Sequence, residues 1–440
     1  MTPNEIGVLF VVVALILLLS GMPVAFALGA VSVTFMLVFM PPANIADLAE
    51  TLYQGLDNFT LLAIPLFILM GDAVGKTGAA EDLYESAYRW LYRLPGGLGI
   101  ANVVGCAIFA AMCGSSTATA AAIGAMGIPE MRKRGYAGGL AGGLVAAGGT
   151  LGILIPPSIT FILYGIVVEQ SIGQLFIAGV VPGVLLASLF AVWVAFKSHR
   201  TNRRASMRGV ATVRDTFTLR ERVRALPRLL PFLVIISIVM ATLYGGFATP
   251  SEVAGVGALA TIVVVATVYR CYRWSDVKPI LVGTARESCM LMMIIAMAFL
   301  FTYVMSYLHI TQEATQWLVS LPMSRWEYLF WIDVLVLLLG FFLPPVAIIL
   351  MITPVIMPGL LAHGFDPVWF GVNMTIVMET GLIHPPVGLN LFVIQGIAPD
   401  ISLKDLVLGV LPFIAIMLAF IVVISAYPQI ALWLPNVFFH

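Results

Sequence analysis

Apolar runs of about 20 residues, the length a helix needs to cross a bilayer, follow one another along the whole of this chain. In lipid every backbone N–H and C=O must be paired within the protein, so a spanning segment is either a helix or a strand of a closed barrel. The runs here are continuously apolar rather than alternating, and they read as helices. Charge agrees, because 10% of the residues are Asp, Glu, Lys or Arg, whereas a soluble domain carries about 25%. The first stretch, MTPNEIGVLFVVVALILLLSG, has no basic leader and no small-residue cleavage pattern, and it reads as a retained span. Cys106, Cys113, Cys271 and Cys289 show neither metal nor redox spacing and read as unpaired apolar fillers. The chain is therefore a polytopic, all-α membrane protein in contact with the lipid bilayer, with no feature of a nucleic-acid binder.

Two of the apolar runs contain consecutive prolines. GILIPPSITFILYGI (152–166) resembles GLIHPPVGLNLFVIQGI (381–397) at an offset of 229 residues. At nearly the same offset Pro129, Gly135 and Tyr136 match Pro358, Gly364 and Phe365, while Gly179 and Pro182 match Gly409 and Pro412. Pro23 matches Pro250 at nearly the same spacing. Several correspondences in order point to an internal duplication, with halves at 1–197 and 229–440. The linker between them, 198–228 with Lys197 at its edge, is strongly basic: residues 197–228 hold ten of the 22 lysines and arginines. Basic loops face the cytoplasm.

Orientation follows from that linker. Spans are expected near 5–22, 23–40, 59–78, 137–167 and 173–196, then 229–247, 250–269, 287–308, 366–397 and 403–426. Residues 97–130 do not fit as a crossing, since Arg89 and Arg93 flank one end and Arg132, Lys133 and Arg134 the other. Two short arms meeting at CGSSTAT (113–119) make a re-entrant hairpin, matched by 326–360 with its tip at FLPPVA (342–347). This arrangement leaves only Arg325 outside, gives the halves opposite orientation and puts both termini on the outer side. The connectors 45–59 and 269–288 are amphipathic and are expected to lie along the interfaces as bracing arms.

Each proline pair breaks a helix at a cost of roughly 3 kcal/mol. Broken backbone at membrane depth persists where it is buried in protein or lines a cavity. Freed carbonyls are hard oxygen ligands for a small cation, and freed amides at a half-helix start attract anions. The stretches 149–158 and 378–390, with the tips 114–117 and 343–346, are thus candidates for an ion and substrate site at the midplane. Proline kinks and back-bonded serines also occur for purely structural reasons; recurrence across the duplication favours the site. Glu379 is a costly mid-span carboxylate that either orients the site or is a structural acid. His384 either donates to substrate or is a packed histidine, and Asn390 can bond freed backbone or a ligand. Asp72 and Asp333 read as locally paired or facing a polar crevice, with ion coupling as the lesser alternative, and the glycine run 138–149 reads as close helix packing ahead of direct ligand contact. No Lys or Arg lies within either hairpin's arms or the cores of the broken helices, so bound cations are the natural offset for an anionic substrate.

At these residues the sequence resembles the large membrane subunit of tripartite ATP-independent periplasmic (TRAP) transporters, the DctM-like family. GMPVAFALG (21–29), AIPLFILMG (63–71), GSSTATAAAIG (114–124), GILIPPS (152–158) and HPPVGLNLFV (384–393) carry the resemblance. It implies an elevator-type, sodium-driven secondary transporter of the bacterial inner membrane that imports organic acids such as C4-dicarboxylates. It implies two partners, a small four-helix membrane subunit and a periplasmic substrate-binding protein. No small-subunit sequence precedes Met1, so the small subunit is expected as a separate chain.

Carried onto this chain, the resemblance places one sodium site at Ser115, Ser116, Gly152, Ile155 and Pro157. A second falls at Pro344 and Pro345 of the other tip with Thr380, Gly381, His384 and Pro386. Thr is common in the family where this chain has His384, so a backbone carbonyl is the contribution implied there. Substrate contacts are expected from Ser116, Thr117, Ser158, Glu379 and Asn390. No catalytic residue and no cofactor are expected, with sodium acting only as the coupling ion. A stand-alone sodium/carboxylate symporter with the same hairpins is the alternative; dependence on a binding protein separates the two. An intramembrane hydrolase lacks HExxH or a second acid placed near Glu379, and P-loop spacing is absent.

Overall fold

The computed structural model describes residues 1–207 and 217–439, with side chains placed for 1–200 and 217–439. Part of the basic linker, 208–216, lies outside the described residues. The described residues form helices and connecting turns with no strand, as a chain must that satisfies its backbone inside lipid. Six helices are long and apolar enough to cross a membrane: Ile172–Arg200, Leu219–Tyr244, Pro250–Thr267, Trp274–Tyr307, Pro345–Ala362 and Leu403–Ala426. Two bent pairs raise the number to eight if each counts as one span. Pro3–Leu19 and Val24–Phe39 are shorter apolar helices. Several starts are written in the sequence as capping boxes, in which Thr2, Thr218, Thr249 and Ser324 exchange hydrogen bonds with the glutamate three residues on.

The connector 269–288, expected as a separate interfacial arm, is instead largely continuous with the span after it, in one helix Trp274–Tyr307 of 34 residues. In the first half, Leu48–Leu56 is separated from Phe59–Gly75 by a 63° bend. The difference lies in turn chemistry. Asn58 accepts from the Thr60 amide at 2.9 Å, ending one helix and starting the next. The corresponding stretch TARES (284–288) has no such Asx turn, so the helix runs on.

Two pairs of helices fold back on themselves: Gly97–Cys113 with Ser116–Lys133, and Arg325–Gly340 with Pro345–Ala362. They are called hairpins 1 and 2 below. The first broken helix runs Gly138–Gly149, Leu151–Leu154 and Ile159–Val168, with a 42° bend at the break. The second runs Pro367–Ile383 and Leu389–Ile397. Contacts between these parts are reciprocal. The second arm of hairpin 1 packs on Leu389–Ile397, and the second arm of hairpin 2 packs on Ile159–Val168. Gly138–Gly149 lies along Leu403–Ala426 with backbones touching, since a Cβ on Gly143 would come 2.8 Å from the Val410 nitrogen. The broken helices, hairpin 1 and the second arm of hairpin 2 form the buried centre, whereas Arg325–Gly340, Leu219–Tyr244 and Pro250–Thr267 leave large apolar side chains exposed on their outer faces. That exposed apolar surface is what a bilayer covers.

The candidate ion and substrate site

The tip of hairpin 1 is a two-residue reversal. Gly114 closes the first arm at φ 60°, a left-handed conformation that strains any other residue, and a Cβ there would stand 2.9 Å from the Pro157 carbonyl oxygen. Ser115 is extended and caps the second arm. Its carbonyl accepts from the Thr119 hydroxyl at 2.8 Å, and its own hydroxyl lies 3.3 Å from that of Thr117. The next hydroxyl, on Ser116, donates to Glu379 Oε1 of the second broken helix.

The break in the first broken helix spans 155–158. Pro156 and Pro157 have no N–H, which removes the helical donors of the Gly152 and Ile153 carbonyls. Ser158 recovers one of these, donating to the Ile153 oxygen at 2.5 Å while accepting from the Phe161 amide at 3.3 Å. The Gly152 carbonyl keeps no helical donor. Gly152 also sets the approach of the hairpin tip: a Cβ would come 2.6 Å from the Ser115 oxygen and 2.9 Å from the Ser116 Cα. One turn earlier, a Cβ on Gly149 would meet the Ser116 oxygen at 2.9 Å and the Asn390 amide nitrogen at 3.3 Å.

The second broken helix repeats the device. Pro385 and Pro386 free the carbonyls of Gly381 and Leu382; the His384 amide recaptures Gly381 at 3.1 Å. Gly381 lies against Gly340 of hairpin 2, where a Cβ would meet backbone at 2.8 Å. His384 stacks on Phe341 with ring centroids 4.6 Å apart, and its Nδ1 lies against the Pro385 oxygen. Thr380 donates to the Ile376 oxygen of its own helix at 2.7 Å. Glu379 is 1% exposed, and its Oε2 has no partner. Asn390 donates to the Ala146 carbonyl at 3.3 Å, which leaves its Oδ1 buried and unpartnered.

Ser115, Ser116, Gly152, Pro157, Glu379 and Asn390 are thereby gathered at one crossing, with half-buried Thr117 at its edge. Ile155 sits at the break but packs toward Gly183. Thr380, Gly381 and His384 belong to the neighbouring break. Pro344 and Pro345 head the second arm of hairpin 2, Pro386 is exposed, and Gly340 and Phe341 of the same hairpin touch the second break. Gly114, Gly149, Gly340 and Phe341 were not singled out from sequence, although each lies within or beside a motif that was. Asp72 pairs with Lys76 at 2.8 Å and Asp333 accepts from Asn373 at 2.8 Å. Among the described residues no group of three His, Cys, Asp or Glu side chains could hold a metal ion. The crossing offers hydroxyl, carbonyl, amide and carboxylate oxygens, the ligand type that hard cations take.

An all-helical bundle with two broken helices and two hairpins joined at a buried polar crossing is the architecture of a membrane transporter. Residues 11–430 match the family described as the tripartite ATP-independent periplasmic transporter, DctM component, and the chain belongs to that family, whose members are transporter permease subunits and not enzymes. It is 36% identical to the C4-dicarboxylate TRAP transporter large permease protein DctM of Rhodobacter capsulatus, covering 96% of each chain. It is 38% identical to the protein of that description in Pseudomonas aeruginosa, covering 93% of this chain and 94% of that one. The sialic acid TRAP transporter large permease protein SiaM of Vibrio cholerae is 31% identical, with 96% of each covered. Among solved structures, the Alcanivorax borkumensis YdaH transporter shares the fold with a TM-score of 0.62 at 15% identity, covering 99% of both chains. Large permeases of this family work with a small permease subunit and a periplasmic binding protein.

Proposed function

We propose that this chain imports an organic acid across the bacterial inner membrane by sodium-coupled secondary active transport, working with a separate small subunit and a binding protein. A C4-dicarboxylate or similar carboxylate is the substrate class, in keeping with the relatives at 36% and 38% identity. The observation that carries the reading is the Ser116–Glu379 hydrogen bond. It joins the hydroxyl of a hairpin tip to a buried carboxylate on the opposite broken helix, where the prolines have also released carbonyls. In this reading sodium ions sit at the two tips, the first held by Ser115, Ser116 and the Gly152 carbonyl. Ions bound there offset the charge of the acid held beside Ser116, Thr117, Glu379 and Asn390. The halves 1–197 and 229–440 act as inverted repeats joined by a cytoplasmic linker, with both termini periplasmic. The hairpins and broken helices carry the site across the bilayer as an elevator.

The test is uptake into proteoliposomes holding the chain and its small subunit under an inward sodium gradient. Labelled succinate, malate and a panel of further acids are supplied with and without the cognate binding protein. Uptake that needs both sodium and the binding protein is the expected result. Sodium-driven uptake that ignores the binding protein would instead identify a stand-alone symporter, and downhill flux indifferent to sodium would remove the coupling.

A further inference from the structure

A cavity of about 690 Å³ lies outside this crossing, where the end of hairpin 1 meets the start of the first broken helix. Its other walls are the Ile172–Arg200 helix and the start of Leu403–Ala426 with the loop before it. Three features select its occupant. First, Arg132, Arg134 and Lys197 line it against two carboxylates, Asp400 and Asp405; Arg132 is paired with Asp400, Arg134 with Glu130, and Asp405 is bonded to Ser402. Helix Gly138–Gly149 begins in the same space, and its N-cap, Ala137, supplies no side-chain oxygen to the first amides. Cations and a helix start both favour a negative group.

Second, the indole of Trp193 lines the cavity with its N–H buried and unpartnered, and tryptophan beside basic residues is the signature of the membrane–water interface. Third, the cavity is apolar toward Leu408 and Pro412. Beyond it the outward side chains Val192, Phe196 and Leu411 of the same two helices are exposed. In a multi-pass membrane protein that exposed strip is covered by acyl chains. A soluble anion answers only the first feature, whereas a phosphate joined to acyl chains answers all three.

The chain contains its own control. About 230 residues away, Gly364, Phe365, Gly179 and Pro182 stand where Gly135, Tyr136, Gly409 and Pro412 stand here, but Leu361 and His363 replace Arg132 and Arg134. Leu361 lines a pocket of about 320 Å³ there with Glu169, Gln170 and Pro367, and the cation Arg325 lies over the Phe365 ring at 4.4 Å from its centroid. The small-residue frame recurs without cations at the positions of Arg132 and Arg134, so the frame itself does not require them there.

We infer that the cavity holds the phosphate headgroup of an anionic phospholipid, with its acyl chains lying along the groove between Ile172–Arg200 and Leu403–Ala426. The lipid ties the end of hairpin 1 and the start of the first broken helix to these two helices. The inference rests on the chain being a membrane protein and not on its coupling ion or substrate.

The full chain with its small subunit, purified in detergent, is titrated with phosphatidylglycerol, phosphatidylcholine or inorganic phosphate. Retained lipid is counted by native mass spectrometry and the thermal midpoint is followed. Phosphatidylglycerol is expected to be retained and to raise the midpoint, with the other two weaker. Losing two cationic contacts in Arg132→Gln/Lys197→Gln lowers phosphatidylglycerol affinity about 30-fold. Lys197→Arg, which keeps the charge and the fold, retains it. Equal effects of phosphatidylcholine and phosphatidylglycerol overturn the inference, as does undiminished binding in the double variant. Protection by inorganic phosphate equal to that by the lipid overturns it in favour of a soluble-anion site.

Discussion

Gly152→Ala tests the crossing most directly, because the added atom meets backbone that cannot rotate away. The new Cβ would stand 2.6 Å from the Ser115 carbonyl oxygen, where ordinary contact begins at 3.4 Å. The hairpin tip and the first broken helix must therefore separate by about 0.8 Å, an overpacking strain of about 1–3 kcal/mol. Alanine returns up to about 1 kcal/mol of helix propensity, so the net loss of stability is small for a chain of 440 residues. Function is expected to respond more strongly. Oxygen ligands to a metal ion hold their distances within about 0.2 Å, and a shift near 1 Å at a positioned group costs about 100-fold. The half-saturating sodium concentration for uptake should accordingly rise about 10- to 100-fold, with a thermal midpoint only a few degrees lower. Larger side chains at this position should abolish uptake. Gly255→Ala and Gly396→Ala, where a Cβ meets nothing within 4 Å, should leave both readouts unchanged. A Gly152→Ala protein with normal uptake and normal sodium dependence would refute the placement of the first ion site.

Ser116→Ala removes the donor to Glu379, leaving a buried oxygen unsatisfied at about 1–3 kcal/mol. Ser116→Ala, Glu379→Met and the double variant, in which each single change removes the bond, should be non-additive in thermal midpoint, and additive losses would mean the bond contributes nothing. Sodium dependence should weaken more than protein yield in Ser115→Ala and Ser116→Ala; equal loss of both would make these serines structural. Ser158→Ala should behave in the opposite way, since its hydroxyl bridges the break through Ile153 and Phe161. Stability should drop by about 1–3 kcal/mol in step with uptake, and lost uptake in a fully stable protein would assign Ser158 to the ligand instead. Thr380→Val loses a hydroxyl that is bonded back to the Ile376 carbonyl, an exchange that typically costs under about 1.5 kcal/mol. Sodium dependence should survive it, and its loss would show that the hydroxyl turns toward an ion during transport.

Hydropathy, proline chemistry and capping boxes act within a few residues, so the helices, both breaks and both hairpin tips are legible along the chain. The repeated PP motifs also marked where carbonyls would be freed, and the glycine run 138–149 was legible as a packing surface. The fate of the connectors was less so. One became a bent pair and the other part of a 34-residue helix, decided by whether an Asx turn stood at the junction.

Nothing local in the sequence says which hydroxyl meets which carboxylate. Ser116 and Glu379 are 263 residues apart and Asn390 and Ala146 are 244 apart; only the packing of one half's hairpin and broken helix on the other half's broken helix brings them together. Within the second half, Gly340 meets Gly381 and Phe341 stacks on His384, contacts that no local motif marks. A helical membrane protein with two broken helices and two reversals is legible along the chain, because a bilayer leaves the backbone few options and proline removes its donor wherever it stands. The tertiary structure alone decided which groups share the crossing, because a hydrogen bond or a 2.6 Å backbone approach at Gly152 is fixed by the meeting of surfaces distant in the chain.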